Sequence, residues 1–285
     1  MTAVVLTRHG GPDALEVRQN VPTPRLAAHE VLVAVAAAGM NNTDVWSRQG
    51  SYGTAGDPGA VGGWRGIPLS FPRIQGGDIA GRVVGVGTAV ATTWLGRRVL
   101  VDSALYAADD ANAIGLLGSE ADGGFAQFAA VNAHRLHGVD DSPLSDEELA
   151  ALPIAYGTAV GMLERSGLAA GERILVTGAS GGVGVALVQL ARARGCTVVA
   201  VTTETEDKRE QVLRADASRV LSRKAVPSQE LDESVDVVAD VNAGAFTPVL
   251  AARYPLEEIA KAQSEFDRKQ FVGKFVLTIP RFGDR

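Results

Sequence analysis

The sequence predicts an α/β chain preceded by a separate antiparallel β region, and three observations carry that expectation. The first is Ile174-Leu-Val-Thr-Gly-Ala-Ser-Gly-Gly-Val-Gly184, a β-branched apolar run that breaks into crowded glycines and resumes at helical spacing. The second is a series of short apolar runs between Val4 and Val131, separated by Gly and Pro. The third is Ser145-Asp-Glu-Glu148, which has the spacing of a capping box and marks where helices begin. The expected division is 1–150 for the β region, 151–253 for an α/β unit, and 254–285 for a closing helix and strand.

Taken in order, Val4-Val5-Leu6, Val31 to Ala36, Ile79 to Val86, Val99 to Val101 and Phe125 to Val131 read as short strands of an antiparallel, barrel-like domain. Between two of them lies a glycine-rich loop from Gln49 to Pro72, which contains Tyr52 and Trp64. A loop that long is usually functional or disordered. It is expected to border the substrate cleft, to move more than its neighbours, and to give the site an apolar wall. Asp109 to Ser119 reads as a second irregular stretch. The helix that starts at Ser145 is broken by Pro153, a second runs from Ile154 to Arg165, and Gly167 to Glu172 is a turn.

Ile174 to Thr177 is then a buried strand, and Val183, Leu187, Leu190, Ala191 and Arg194 recur at helical spacing until Gly195. Thr197 to Thr202 is a second β-branched run, which completes a βαβ unit. The glycines in its turn have a mechanical reason. A diphosphate must approach backbone N–H groups at a helix N-terminus, where unpaired donors and the dipole favour an anion. A Cβ at Gly181 or Gly182 would hold it away, and Gly184 lets helix and strand pack closely. Ala179, Ser180, Gly181, Gly182, Val183 and Gly184 are therefore the expected cofactor-binding turn. Further on, Lys208 to Arg214 reads as a helix, Arg219 to Leu221 and Val235 to Val241 as strands, Pro255 to Lys269 as an amphipathic helix, and Val272 to Ile279 as a closing strand.

Bulk properties narrow the function classes. The length of 285 residues suits about two domains. A net charge of −6 argues against a nucleic-acid or anionic-membrane surface. The longest apolar run, Val31 to Met40, is too short to span a bilayer, and the N-terminus lacks the pattern of a signal peptide. The single cysteine, Cys196, excludes an internal disulfide and a cysteine-rich zinc site, and reads as a buried small hydrophobe. A cytoplasmic protein is expected.

This order of elements resembles the medium-chain dehydrogenase/reductase superfamily. The resemblance covers most of the chain. It is most specific at Gly39-Met-Asn-Asn-Thr-Asp44, Pro72-Arg-Ile-Gln-Gly-Gly-Asp-Ile-Ala-Gly81, Ala155-Tyr-Gly-Thr-Ala159, Val176 to Gly184, and Tyr254-Pro-Leu-Glu-Glu-Ile-Ala-Lys-Ala262. Within the superfamily the chain looks like the zinc-independent, quinone-oxidoreductase-like branch. The resemblance implies a GroES-like barrel domain joined to a Rossmann domain with a doubly wound parallel sheet. It also implies NADPH as cofactor and reduction of quinones, enones or related carbonyl compounds. Zinc-dependent relatives place a cysteine where Asn41 stands and Gly-His-Glu where Gly76-Gly77-Asp78 stands. A catalytic zinc needs about three ligands, and only Asp78 remains as a candidate, so no zinc is expected. His9, His29, His134 and His137 match no ligand position, and His134 and His137 read as surface residues.

Without a metal, the protein's task is to position and polarise while the cofactor carries the hydride. Asn41 is expected to donate to the substrate carbonyl and Tyr52 to supply a proton, with Asn42 and Trp64 contacting substrate. Asn41 and Asn42 also suit an ordinary turn, and Tyr52 simple packing. Thr158 falls beside the nicotinamide by resemblance. An NAD-specific site places an acid at the end of the second strand, where this chain has Thr203. Lys208 matches a lysine that relatives use for the 2′-phosphate, so NADPH is expected over NADH. If Glu204 faces the ribose instead, the preference reverses.

One departure stands out. A doubly wound domain has six strands and only four are visible, so at roughly 25–30 residues per βα unit about 50 residues are absent between Val241 and Tyr254. Either a segment is missing from the sequence, or the sheet is truly short with an edge that must be covered. In relatives that edge forms a homodimer. A genuine deletion opens an alternative function: a degenerate reductase scaffold that binds a small molecule or catalyses a non-redox step.

Overall fold

The computed structural model describes residues 1–53, 68–106, 113–202, 205–222 and 248–281. Two compact units result. One comprises Met1–Pro153, Ala252–Lys269 and Phe275–Arg285, and the other Ile154–Ala251 with Gln270–Lys274.

The first unit opens with an antiparallel hairpin, β1 (Ala3–Leu6) and β2 (Leu15–Arg18). Its centre is β3 (Glu30–Gly39), whose alternate residues Val31, Val33, Val35 and Ala37 are buried as the period of a strand requires. Around β3 run β4 (Asp78–Val86), β5 (Arg98–Val101), β8 (Phe128–Asn132), β9 (Leu136–Gly138), β13 (Leu250–Pro255) and β14 (Lys274–Thr278). The seven strands form one sheet in the order β13-β14-β3-β4-β5-β9, with β8 also on β3. The pairs β3–β4, β3–β8, β3–β14, β4–β5 and β5–β9 are all antiparallel. The short strands β6 (Ala104–Tyr106) and β7 (Ala113–Leu116) form a separate hairpin. The stretch from Asp109 to Ser119 is therefore not irregular throughout.

Three helices belong to this unit: α1 (Asn42–Gln49), α2 (Asp146–Ala150) and, after the second unit, α6 (Ile259–Asp267). Ser145 caps α2 as its sequence predicts, with its hydroxyl accepting from Glu148 N–H and the Glu148 carboxylate accepting from Ser145 N–H. The chain from Pro255 to Lys269 is less helical than its period suggests. Pro255 ends β13, and a 3-10 turn over Leu256–Glu258 precedes α6.

The second unit contains α3 (Pro153–Ser166), β10 (Arg173–Thr177), α4 (Gly182–Ala193), β11 (Thr197–Thr202), α5 (Glu206–Arg214) and β12 (Arg219–Ser222). The strands lie parallel in the order β10-β11-β12. Leu187, Val188, Leu190 and Ala191 of α4 are buried, and Cys196 is fully buried at the entry to β11. His134 and His137 are both exposed. Trp64, Thr203, Glu204 and the run from Val235 to Val241, with the gap expected after it, lie outside the described residues.

Candidate active site

The first cluster is built by the register of β3 on β4. Gly39 pairs with Asp78, so Asp78 begins β4 beside the point where β3 runs into Asn41. A side chain at Gly39 would not fit. Its Cβ would lie 2.3 Å from the Ala150 carbonyl oxygen and 2.8 Å from Asp78 Oδ2. In the space left, Asn41 Nδ2 donates to Asp78 Oδ2 at 2.8 Å. Asp44 closes the group: its Oδ2 accepts Asn41 N–H at 2.7 Å, its Oδ1 accepts Gly76 N–H at 3.3 Å, and its backbone carbonyl accepts Gln75 Nε2 at 2.8 Å. Asn41, Asp44, Gln75 and Asp78 are all buried. Each polar atom that folding removes from water needs such a partner. Gln75 Oε1 is buried with none among the described residues.

These bonds also make a helix that the sequence does not announce. Asn42-Thr-Asp-Val-Trp-Ser is poor in strong helix formers. Asp44 caps the start of α1, Gly50 closes its end at φ 77°, and Arg48 anchors its last turn. Arg48 is 1% exposed, yet it donates to the Gly10 carbonyl, to Gln263 Oε1, and at 3.5 Å to Asp267 of α6. Burial lowers its guanidinium pKa, and Asp267 works against that shift. The Gln49–Pro72 loop thus begins one residue later, at Gly50.

The outer face of α1 carries Asn42, Thr43 and Trp46. Tyr52 Oη donates weakly to Thr43 Oγ1 at 3.4 Å, and its ring stands edge-on to Trp46. Lys269 Nζ, which follows α6, donates to Asn42 Oδ1 at 2.7 Å. Of the substrate-side residues expected from the sequence, Asn41, Asn42 and Tyr52 thus lie on or beside α1, Asn41 buried and the other two exposed.

In the second unit, the turn after β10 is shaped by missing side chains. Gly178 has φ +62°, and Ala179 N–H donates to the Val201 carbonyl, which fixes the turn on β11. Gly181 is the N-cap of α4, and no side chain caps that helix. A Cβ at Gly184 would lie 2.3 Å from the Gly178 carbonyl oxygen and 2.6 Å from Ala179 Cα, so only glycine lets α4 begin so close to the strand. At Gly182 a Cβ would meet Lys274 Cδ at 2.8 Å. Lys274 is a lysine that sequence reading missed. It is 4% exposed, and the backbone of its segment is tied to the turn by Gly273 N–H donating to the Ser180 carbonyl. A lysine inside a strand pattern carries no sequence signal of its own. Ser180 is half-buried, Thr158 is exposed on α3, and Lys208 is half-buried in the first turn of α5.

A dinucleotide fits this turn. The close approach at Gly184 and the uncapped first turn of α4 over Gly182, Val183 and Gly184 both suit an anion. At the end of β11, Thr202 Oγ1 is buried with no partner among the described residues. Among those residues, no group of three or more His, Cys, Asp and Glu is placed to hold a metal ion, and no helix is long and apolar enough to cross a membrane.

An antiparallel sheet unit with a glycine-turn βαβ unit is the build of a GroES-like domain joined to a Rossmann domain. Residues 27–141 match the alcohol dehydrogenase GroES-like domain. The human quinone oxidoreductase is 30% identical over 253 residues, covering 85% of this chain and 68% of its own length. An NADPH-dependent alkenal/one oxidoreductase of Arabidopsis thaliana is 32% identical, over 84% of this chain and 57% of its own. A crystal structure from Sinorhizobium meliloti 1021, provisionally assigned as an alcohol dehydrogenase, superposes with a TM-score of 0.86 at 36% identity, over 98% of this chain and 97% of that one. The chain belongs to the medium-chain dehydrogenase/reductase superfamily and is quinone-oxidoreductase-like within it.

Proposed function

We propose that the protein is a zinc-independent, NADPH-dependent reductase of quinones, enones or related carbonyl compounds. The Asn41–Asp78 hydrogen bond is the observation that carries this reading. The position where zinc-dependent relatives place a cysteine is held by an amide, and that amide binds the carboxylate that would be the only remaining ligand.

When bound, the nicotinamide supplies the hydride. The first turn of α4 would receive the diphosphate on its amides, Lys274 would add positive charge, and Thr202 Oγ1 would gain a partner. Thr203 and Lys208 would receive the 2′-phosphate, and Thr158 would lie beside the nicotinamide. The amides at the start of α1, Asn41 and Asn42, polarise the acceptor's oxygen, and Tyr52 returns a proton. Tyr52 and Trp64 supply an apolar wall.

The test is a fluorescence titration with NADPH and with NADH, followed by NADPH oxidation in the presence of a naphthoquinone or an α,β-unsaturated ketone, before and after a chelator. The expected result is tighter NADPH binding, turnover that the chelator leaves unchanged, and no stoichiometric zinc by elemental analysis. Chelator-sensitive turnover with a tightly held zinc overturns the metal-free reading, and equal or tighter NADH binding overturns the cofactor choice.

A further inference from the structure

We propose that Lys269 is a positioning residue that turns Asn42 into the hydrogen-bond donor for the acceptor's oxygen. This deepens the reductase reading and rests on it. Two amides stand at the start of α1. Asn41 is buried and gives its Nδ2 to Asp78. Asn42 is exposed, and its Oδ1 accepts from Lys269 Nζ at 2.7 Å. An ammonium group only donates, so Lys269 settles which end of the Asn42 amide faces it. The carbonyl turns toward the lysine and the NH2 turns away, so the outward end is a pure donor. The positive charge on the carbonyl side also polarises the amide and strengthens its N–H as a donor.

Two further observations describe how the lysine is held. Its ammonium sits 3.8 Å from the centre of the Phe266 ring, a cation–π contact that limits its movement. Its backbone has φ +53°, at the C-terminal end of α6, where glycine is the usual occupant of the left-handed conformation. A residue chosen only to end a helix there would be glycine. A cation also lies badly against the positive end of α1, so the electrostatics of the helix do not account for it.

In the reaction, hydride arrives at the acceptor carbon with its electron pair, and the displaced π electrons move onto the acceptor oxygen. The Asn42 N–H donates to that oxyanion, and Tyr52 or water later protonates it. The donor is aimed at charge that exists fully only after transfer, so it acts on kcat more than on KM.

Three variants separate positioning from mere structure. Asn42→Asp keeps the shape, makes a stronger pair with Lys269, and puts an acid in the first turn of α1, where it is favourable. A structural role predicts that Asn42→Asp tolerates the change, with full activity. The proposal predicts that kcat falls about 100-fold, with the melting temperature and NADPH affinity kept, because a carboxylate cannot donate and repels the oxyanion. Lys269→Gly relieves the left-handed backbone, so the fold is retained while kcat falls about tenfold, the scale of one charge-assisted contact. Lys269→Arg restores donation to Asn42 and most of the rate. Wild-type turnover in Asn42→Asp or Lys269→Gly overturns the proposal. A wild-type protein that oxidises no NADPH with any quinone or enone overturns the reductase reading beneath it.

Discussion

The polar knot at the start of α1 and the glycine turn at the start of α4 both prepare a helix N-terminus, and they do so by opposite means. At α1 the chain supplies its own anion: Asp44 caps the helix while Asp78 binds the preceding Asn41. At α4 no side chain caps the helix, and glycines clear the approach to its first turn. A helix end whose backbone donors its own carboxylate satisfies leaves recognition to its side chains, whereas an uncapped one offers its backbone amides to a phosphate. The first site is therefore vulnerable to deleting a side chain, and the second to adding one.

That contrast can be broken in four ways. The largest effect is expected from Gly184→Ala, whose methyl would sit 2.3 Å from the Gly178 carbonyl oxygen. Overpacking of that kind costs about 3 kcal/mol, and the shifted turn should also lose NADPH binding. Urea denaturation and a cofactor titration measure both, and a variant that binds NADPH normally would show that the turn is not shaped by this contact. Next comes Asp78→Ala, which leaves a buried Asn41 donor without its carboxylate and should destabilise the first unit by about 2 kcal/mol. NADPH affinity should survive, and its loss would show that the α1 cluster also supports cofactor binding.

Lys208→Ala is smaller. It should weaken NADPH binding by about 1–2 kcal/mol and leave NADH almost unchanged, as parallel titrations would reveal. An equal loss for both cofactors would remove the 2′-phosphate from the explanation. The smallest effect compares two tyrosines held neutral, one in each unit. Burial, helped by the hydrogen bond to Glu265, pushes Tyr254 up to about 12, and burial pushes Tyr156, bonded to Gln189 on α4, higher still. A phenol with a raised folded-state pKa retains its proton longer when folded, so its stabilising share is intact below about pH 10 and is lost as pH rises through the folded value. The melting temperature should decline between pH 10 and 12, and Tyr254→Phe should flatten the part of that slope assigned to the first unit. An unchanged slope in Tyr254→Phe would place the titration elsewhere.

Features whose cause is local can be read from the residues alone. Glycine acts on the backbone where it stands, so the spacing of Gly181, Gly182 and Gly184 announces the turn, and α4 follows it. The alternation in β3 and the capping box at Ser145 are legible for the same reason. Helix α1 was not legible, because its residues are weak helix formers and its stability comes from Asp44, Gly50 and the buried Arg48. The side-chain pairs come from the folded chain: Asn41 with Asp78 across 37 residues, Arg48 with Gln263 across 215, and Asn42 with Lys269 across 227. Such pairs leave no periodic trace in a sequence. A hydrogen bond depends on distances of about 3 Å, which strand register and packing set only once distant segments have met.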